Sequence, residues 1–211
     1  MTLESSLPYV SVAAALAAGW TSGAGSLQAD RGLKAAALAA LAMFAYFRGV
    51  APTAIAEALT LGAIAQALMM RGPARYACAG LIFLLGEGLV LANLFFGAGL
   101  GLTILAQPAR LVPLAAGLAV LAWGVWRLRR GAGRLRPGIA AGAAVLGLLA
   151  GSSLTLRWEL WPAMAGVLAM AVSEAARAAF AGGPGRQPAI ERGAWAGEYV
   201  GLVAVAYAFL R

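Results

Sequence analysis

The chain has 211 residues, of which 62% are hydrophobic and only 11% are charged, and its formal net charge is +8. A soluble domain usually carries about a quarter charged residues, so this chain has too little polar material to cover the outside of a globule. A soluble enzyme, a secreted disulfide module and a disordered tail are therefore excluded, and lipid is the remaining solvent. Histidine is absent and cysteine occurs once, which excludes histidine-based catalysis, histidine metal sites and an internal disulfide.

The apolar residues form eight segments that are separated by charged residues or by proline and glycine. About 20 residues cross a bilayer as a helix, so the chain has room for eight spanning helices with short connections. The segments are rich in Ala and Leu and lack the alternation of barrel strands. Their ranges are 6–21, 33–49, 51–70, 76–96, 110–128, 137–156, 160–180 and 193–210. The sequence thus predicts an all-α, polytopic membrane protein with about eight transmembrane helices, in which residues 1–211 form a single integral membrane domain.

The basic residues are unevenly distributed over the connections. Twelve of the 16 lie in, or within four residues of, the connections that follow the first, third, fifth and seventh segments. Basic residues favour the cytoplasmic side of a membrane, so these connections are predicted to be cytoplasmic and both termini non-cytoplasmic. The same placement explains the net charge by topology and by attraction to anionic lipids, and it argues against a nucleic-acid partner. The wealth of Ala, Gly and Arg is typical of a GC-rich bacterial gene, which gives a bacterial inner membrane as the expected location.

A few polar residues lie inside the apolar segments, where an ionisable group costs about 3 kcal/mol on insertion scales. At a rise of about 1.5 Å per residue, five of them on five segments fall in the predicted cytoplasmic half. These five are Lys34, Gln66, Glu87, Glu174 and Glu198. Glu87 lies deepest, has no Lys or Arg three or four residues away, and is flanked by two glycines that allow another backbone to approach. Glu87 is therefore the residue that is hardest to explain by structure alone.

The other four polar residues also have structural interpretations. Lys34 can extend to the interface, and Gln66 can form an interhelical hydrogen bond. Glu174 can pair with Arg177 on the next turn, and Glu198 lies close enough to the surface to be hydrated. At this stage both the structural and the functional interpretation remain open for each of them.

Short motifs around these positions occur in a fixed order along the chain. They comprise Leu33-Lys34-Ala35, a Gly62 that precedes Gln66, a Gly80 that precedes Phe83 and Glu87, a Gly166 that precedes Ser173-Glu174, and Glu198-Tyr199. This order resembles the YhhN-like lysoplasmalogenase family of eight-helix membrane proteins. That family has Lys-Pro at the first motif, where this chain has Lys34-Ala35. It has Asp, His and Asp where this chain has Gln66, Glu87 and Glu174.

The resemblance implies hydrolysis of the vinyl-ether bond of a lysoplasmalogen, which gives a fatty aldehyde and a glycerophospho-alcohol. Such chemistry needs an acid that protonates the enol-ether carbon and a base that directs water at the oxocarbenium ion. Glu174 and Glu87 are the candidates for these two roles, and Glu174 is expected to matter most because it stands at the family's acidic position. The implied partners are membrane lipids in the form of a lysophospholipid-like substrate, with no cofactor and no metal. The implied substrate-binding residues are Lys34, which would pair with the phosphate, and Gln66, Ser173, Glu198 and Tyr199.

Two other functions remain open at this stage. The replaced motif residues favour a non-catalytic lipid-binding or scaffold homologue, in which the site has decayed instead of being rebuilt. A small proton-coupled transporter is the other alternative, with a midplane carboxylate as its proton or cation site. In that case the chain would consist of two parallel repeats of four helices each (a 4 + 4 repeat). Gln66 of the first repeat would then correspond to Glu174 of the second, 108 residues later.

Overall fold

The computed structural model of the chain describes residues 3–22, 27–48, 53–71, 74–99, 136–180 and 188–210, and five single positions, 112, 115, 119, 122 and 126. The seven α-helices of these residues are α1 (Leu3–Thr21), α2 (Leu27–Phe47), α3 (Thr53–Met69), α4 (Ala74–Ala98), α5 (Arg136–Ser153), α6 (Trp161–Phe180) and α7 (Pro188–Phe209). A 3-10 turn, Trp158–Leu160, precedes α6, and no strand occurs in the described ranges. The predicted all-α class is confirmed.

Seven of the eight predicted segments correspond to these helices. Two predicted starts are wrong, because α2 begins at Leu27 instead of at 33, and α7 begins at Pro188 instead of at 193. Proline suits the first turn of a helix, where its missing N–H leaves no hydrogen bond unmade. The predicted fifth segment, 110–128, lies outside the described residues except for the five single positions, all of which are helical. The basic connection that follows it, up to residue 135, is also outside them.

Helices α4 and α5 pack side by side and run in the same direction. Gly88 of α4 lies against Val145 of α5, and further along α4 the Thr155 hydroxyl, just after α5, donates to the Phe95 carbonyl at 3.4 Å. Two helices that run in the same direction need a connection that returns from the end of the first to the start of the second. A spanning segment between α4 and α5 would make that return.

Helix α1 joins the beginning of the chain to its end. The Ser11 hydroxyl donates to the Ala37 carbonyl of α2 at 2.7 Å and shares a hydrogen bond of 2.7 Å with the Tyr199 hydroxyl of α7. One turn further along α1, the Trp195 indole N–H of α7 donates to the Ala15 carbonyl at 3.0 Å. These bonds place α1 between α2 and α7, and they bury Trp195 almost completely.

Large apolar side chains lie on the surface of every one of the seven helices. Examples, one from each helix, are Leu16, Met43, Ile64, Ile82, Leu148, Val172 and Val200. Within the described ranges, one helical stretch, Cys78–Ala98, has the length and the mean hydropathy of 2.0 that would let it cross a membrane. Thr53–Met69 and Ala141–Ser153 are apolar but shorter. The number of spanning helices therefore stays a prediction.

Candidate functional site

A cavity of about 300 Å³ lies between the helices at the end of the molecule where α2 and α7 begin and α3 and α6 end. Part of its wall is apolar and is formed by Met69, Leu81, Leu84, Leu85, Leu91, Val145, Leu146, Leu149 and Met170. Another part is polar and is formed by Arg31, Lys34, Gln66, Glu87, Glu174, Arg177, Glu191 and Glu198. A cavity with both kinds of wall suits a molecule that has one polar and one apolar end.

Five of the sequence-predicted site residues line this one cavity, although they come from five different helices. They are Lys34, Gln66, Glu87, Glu174 and Glu198. The depth argument predicted that these side chains would converge, and the structure brings them together.

The other two predicted residues, Ser173 and Tyr199, are not among the described residues that line the cavity. The Ser173 hydroxyl donates to the Ala169 carbonyl of its own helix at 2.7 Å and packs against Gly197 of α7. The Tyr199 hydroxyl bonds Ser11 instead. Both hydroxyls serve helix packing in the structure, and the substrate-binding role of the two residues stays a prediction.

Glu87 is buried in the middle of α4 and is 6% exposed. Its carboxyl group packs on Gly62 of α3, so closely that a Cβ atom at position 62 would lie 2.7 Å from Oε2. Within the part of the chain that the structure describes, Glu87 Oε1 has no hydrogen-bond partner. Burying a charged group without a partner is costly, so a carboxyl in this place is expected to carry a proton and to serve a purpose other than packing.

Arg177 of α6 joins the carboxylates on one side of the cavity. It donates to Glu174 on its own helix and, through Nη2, to Glu198 Oε2 of α7 at 2.5 Å. Its Nε atom lies 3.9 Å from Glu191 Oε2, also on α7. Three carboxylates therefore share one guanidinium, which holds the Glu174 carboxylate in place. Glu174 therefore forms the ion pair with Arg177 that its spacing predicted, and it also lines the cavity.

Lys34 is almost fully buried, and its charge is already matched by groups of the protein. Its Nζ atom donates to Asp30 Oδ2 at 3.0 Å and lies 5.2 Å from the centre of the Trp195 ring. The other Asp30 oxygen accepts a hydrogen bond of 2.7 Å from the Ser22 hydroxyl. A buried ammonium needs such partners, and Lys34 has both a carboxylate and an aromatic face.

Arg31 lies one turn before Lys34 and is held differently. Its Nη1 atom donates to Gln66 Oε1 of α3 at 2.6 Å, which is a neutral acceptor. Among the described residues that line the cavity, Lys34 forms an ion pair with Asp30, and Arg177 forms ion pairs with Glu174, Glu191 and Glu198. None of these pairs uses Arg31. Among the described residues no carboxylate lies within ion-pair distance of Arg31, and a guanidinium held by a neutral acceptor is suited to a phosphate group.

Sequence reasoning missed the contributions of Asp30, Arg31 and Glu191 to this site. All three lie in the first turns of α2 and α7, which the sequence predicted to be connections. The spacing of Asp30 and Lys34, four residues apart, is the signal that could have placed them on one helix face. No group of three or more His, Cys, Asp or Glu side chains that could hold a metal ion is found in the described residues.

The chain was compared with protein-family models, with curated proteins and with solved structures, and none of the three comparisons found a match.

Proposed function

We propose that the chain is a polytopic membrane protein of about eight helices in a bacterial inner membrane, with both termini non-cytoplasmic. The apolar side chains on the surface of each helix support this proposal, because a protein surrounded by water would leave all of them hydrated. A groove of about 1030 Å³ along α2 and α3 is lined largely by alanine and other apolar residues, which suits contact with lipid chains. The parallel run of α4 and α5 supports a further spanning segment between them. The alternative 4 + 4 repeat stays a prediction.

We further propose that the protein hydrolyses the vinyl-ether bond of a single-chain lysolipid, as a divergent member of the YhhN-like lysoplasmalogenase family. The observation that carries this proposal is Glu87, a buried carboxyl with an unpartnered oxygen, in the wall of a cavity that is both polar and apolar. The volume of about 300 Å³ lies at the lower end of the range for ligand sites, which favours a single-chain lipid over a two-chain lipid.

The chemistry assigns different roles to the two glutamates. Glu87, as the neutral acid, donates its proton to the vinyl carbon that is not bonded to oxygen, which leaves an oxocarbenium ion. Glu174, held as a carboxylate by Arg177, accepts a proton from the water that attacks this ion. The resulting hemiacetal collapses to a fatty aldehyde and a glycerophospho-alcohol as Glu174 returns its proton to the leaving oxygen and Glu87 takes the hydroxyl proton. One water molecule is consumed, and both glutamates regain their starting states. Two carboxyls in different environments are a common way to obtain one acid and one base.

The polar wall provides a place for the headgroup. Arg31 is the better candidate for binding the phosphate, because Lys34 is already paired with Asp30, whereas the hydrogen-bond partner of Arg31 within the described ranges is the neutral Gln66. Gln66 cannot transfer a proton, but its amide fixes the direction of the Arg31 guanidinium. The assignment therefore moves phosphate binding from Lys34, where the motif resemblance placed it, to Arg31.

Lipid mass spectrometry on the purified protein tests the proposal. The protein is incubated with a lysoplasmalogen and, as a matched control, with the lysolipid that has a saturated alkyl ether in place of the vinyl ether. We expect release of the fatty aldehyde from the first lipid alone, and loss of this release in the Glu87→Gln variant. Absence of cleavage by the wild-type protein on any ether or ester lysolipid would refute the hydrolase and favour the non-catalytic lipid-binding homologue.

A further inference from the structure

The proposed hydrolysis does not use the amine of Lys34, although Lys34 lines the cavity. Lys34 is the only lysine of the chain, and it is 2% exposed. It lines the same cavity as the leucines of α4 and the apolar residues of α5. A lysine is seldom buried beside an apolar wall, and a lysine amine is the side-chain group that forms Schiff bases with carbonyl compounds.

The groups around Lys34 are suited to that reaction. The Asp30 carboxylate, 3.0 Å from Nζ, can accept the proton that the amine must lose before it attacks a carbonyl carbon. The Ser22 hydroxyl holds the other Asp30 oxygen and keeps the carboxylate in place. The Trp195 ring, 5.2 Å from Nζ, stabilises a cation at this position, whether it is an ammonium or an iminium.

We propose that Lys34 is a covalent binding site for long-chain aldehydes, which it captures as a reversible imine. The neutral amine attacks the aldehyde carbon, a C–N bond forms, and the carbonyl oxygen becomes a hydroxyl. Asp30 returns its proton to this hydroxyl, which leaves as water. The protonated amine and the aldehyde thus give one protonated imine and one water, with the charge unchanged and no redox step.

This inference rests on the proposed function for the natural source of the aldehyde, which is the product of vinyl-ether cleavage in the same cavity. The apolar wall that holds the alkyl chain of the substrate would hold the chain of the aldehyde next to the amine. An aldehyde bound in this way blocks the cavity until water hydrolyses the imine. Added long-chain aldehyde is therefore expected to inhibit lipid cleavage.

Reductive trapping tests the site directly. The purified protein is incubated with hexadecanal and cyanoborohydride, which reduces an imine to a stable secondary amine, and alkylated peptides are located by mass spectrometry. A non-cleavable alkyl-ether lysophospholipid serves as the competitor for the cavity. We expect alkylation at Lys34 and a clear reduction of it by the competitor.

A relocated lysine provides the matched control. Gln28 lies on the same helix as Lys34 but is exposed, so the double variant Lys34→Arg, Gln28→Lys keeps the number of lysines and places the amine outside the cavity. We expect the wild-type protein to be alkylated at Lys34 at least about tenfold faster than this variant is at position 28, because the cavity holds the aldehyde next to the amine. Equal rates at the two positions would overturn the proposal.

The trapping experiments on the wild-type protein, with and without the competitor, test the aldehyde site even if the variant does not fold. Alkylation of Lys34 that the competitor leaves unchanged would overturn the proposal, and so would its absence. Because the aldehyde is added, trapping does not depend on cleavage. Alkylation at Lys34 without vinyl-ether cleavage would support the aldehyde site and refute the hydrolase. Vinyl-ether cleavage without alkylation at Lys34 would support the hydrolase and refute the aldehyde site.

Discussion

Replacement of Gly62 by alanine tests whether the position of the Glu87 carboxyl controls the reaction. The new Cβ atom would lie 2.7 Å from Oε2, 2.9 Å from Cδ and 3.0 Å from Oε1 of Glu87. Contacts of Cβ atoms under 3.0 Å essentially never occur, and ordinary van der Waals contact begins at 3.4 Å. The carboxyl group therefore has to move by about 0.7 Å, from 2.7 Å to 3.4 Å at its nearest oxygen.

A shift of this size is large for a reacting group. A misplacement of about 1 Å can lower a rate about a hundredfold, so we expect kcat of Gly62→Ala to fall about tenfold to a hundredfold. The fold should survive, because alanine is favoured over glycine within a helix by about 1 kcal/mol, which offsets part of the crowding cost of about 1–3 kcal/mol.

The assay measures aldehyde release from a vinyl-ether lysolipid, with thermal unfolding recorded on the same samples. Gly97→Ala is the matched control, since it makes the same substitution in α4 at a position where the new Cβ meets no atom within 4 Å. We expect this control to retain the wild-type rate. A folded Gly62→Ala protein with the wild-type kcat would refute the assignment of Glu87 as the reacting acid.

Three further predictions concern the glutamates, the headgroup and the topology. Glu87→Gln and Glu174→Gln should each lower turnover by at least about a hundredfold with folding intact, because the amide is nearly isosteric but cannot exchange a proton; wild-type cleavage by the double variant in the lipid assay would contradict the mechanism. Arg31→Gln should raise KM for a phosphate-bearing lysolipid about tenfold or more, with partial recovery in Arg31→Lys; steady-state kinetics with an unchanged KM would exclude Arg31 as the phosphate ligand. In a Cys78-free background, cysteines introduced near Gly133 should be labelled from the cytoplasmic side, and labelling only from outside would reverse the orientation.

Sequence reasoning found the helices and the meeting of five polar residues, because helical rise and alternating direction fix the depth of each residue. It failed where charge was taken as the mark of a connection. Asp30, Arg31 and Glu191 are charged and yet lie in the first turns of helices, because each finds a partner or the cavity at the helix end. The partners of Arg31 and Glu191 come from other helices, and the sequence of one helix does not contain them. Asp30 pairs with Lys34 on its own helix, and there the four-residue spacing was the available signal.

Adjacency along the chain does not by itself place two side chains at the same cavity. Ser173 precedes Glu174, and Tyr199 follows Glu198, so the motif resemblance assigned both members of each pair to one site. Successive residues of an α-helix point about 100° apart, since 3.6 residues make a turn. Only the glutamate of each pair therefore faces the cavity, and the hydroxyl faces a neighbouring helix.

The hydrogen bonds between α1 and α7 impose an order on the biogenesis of the protein. Ser11 and Tyr199 are 188 residues apart, and Trp195 is 180 residues from Ala15, so the first helix leaves the ribosome long before its partner. The hydrogen bond from Ser11 to the Ala37 carbonyl of α2 can form early. The contacts of α1 with Tyr199 and Trp195 can form only after α7 has been synthesised. That same helix brings the ring beside Lys34 and two of the carboxylates around Arg177. A nascent chain that is released before α7 is complete therefore lacks these contacts and the part of the cavity wall that Glu191 and Glu198 form.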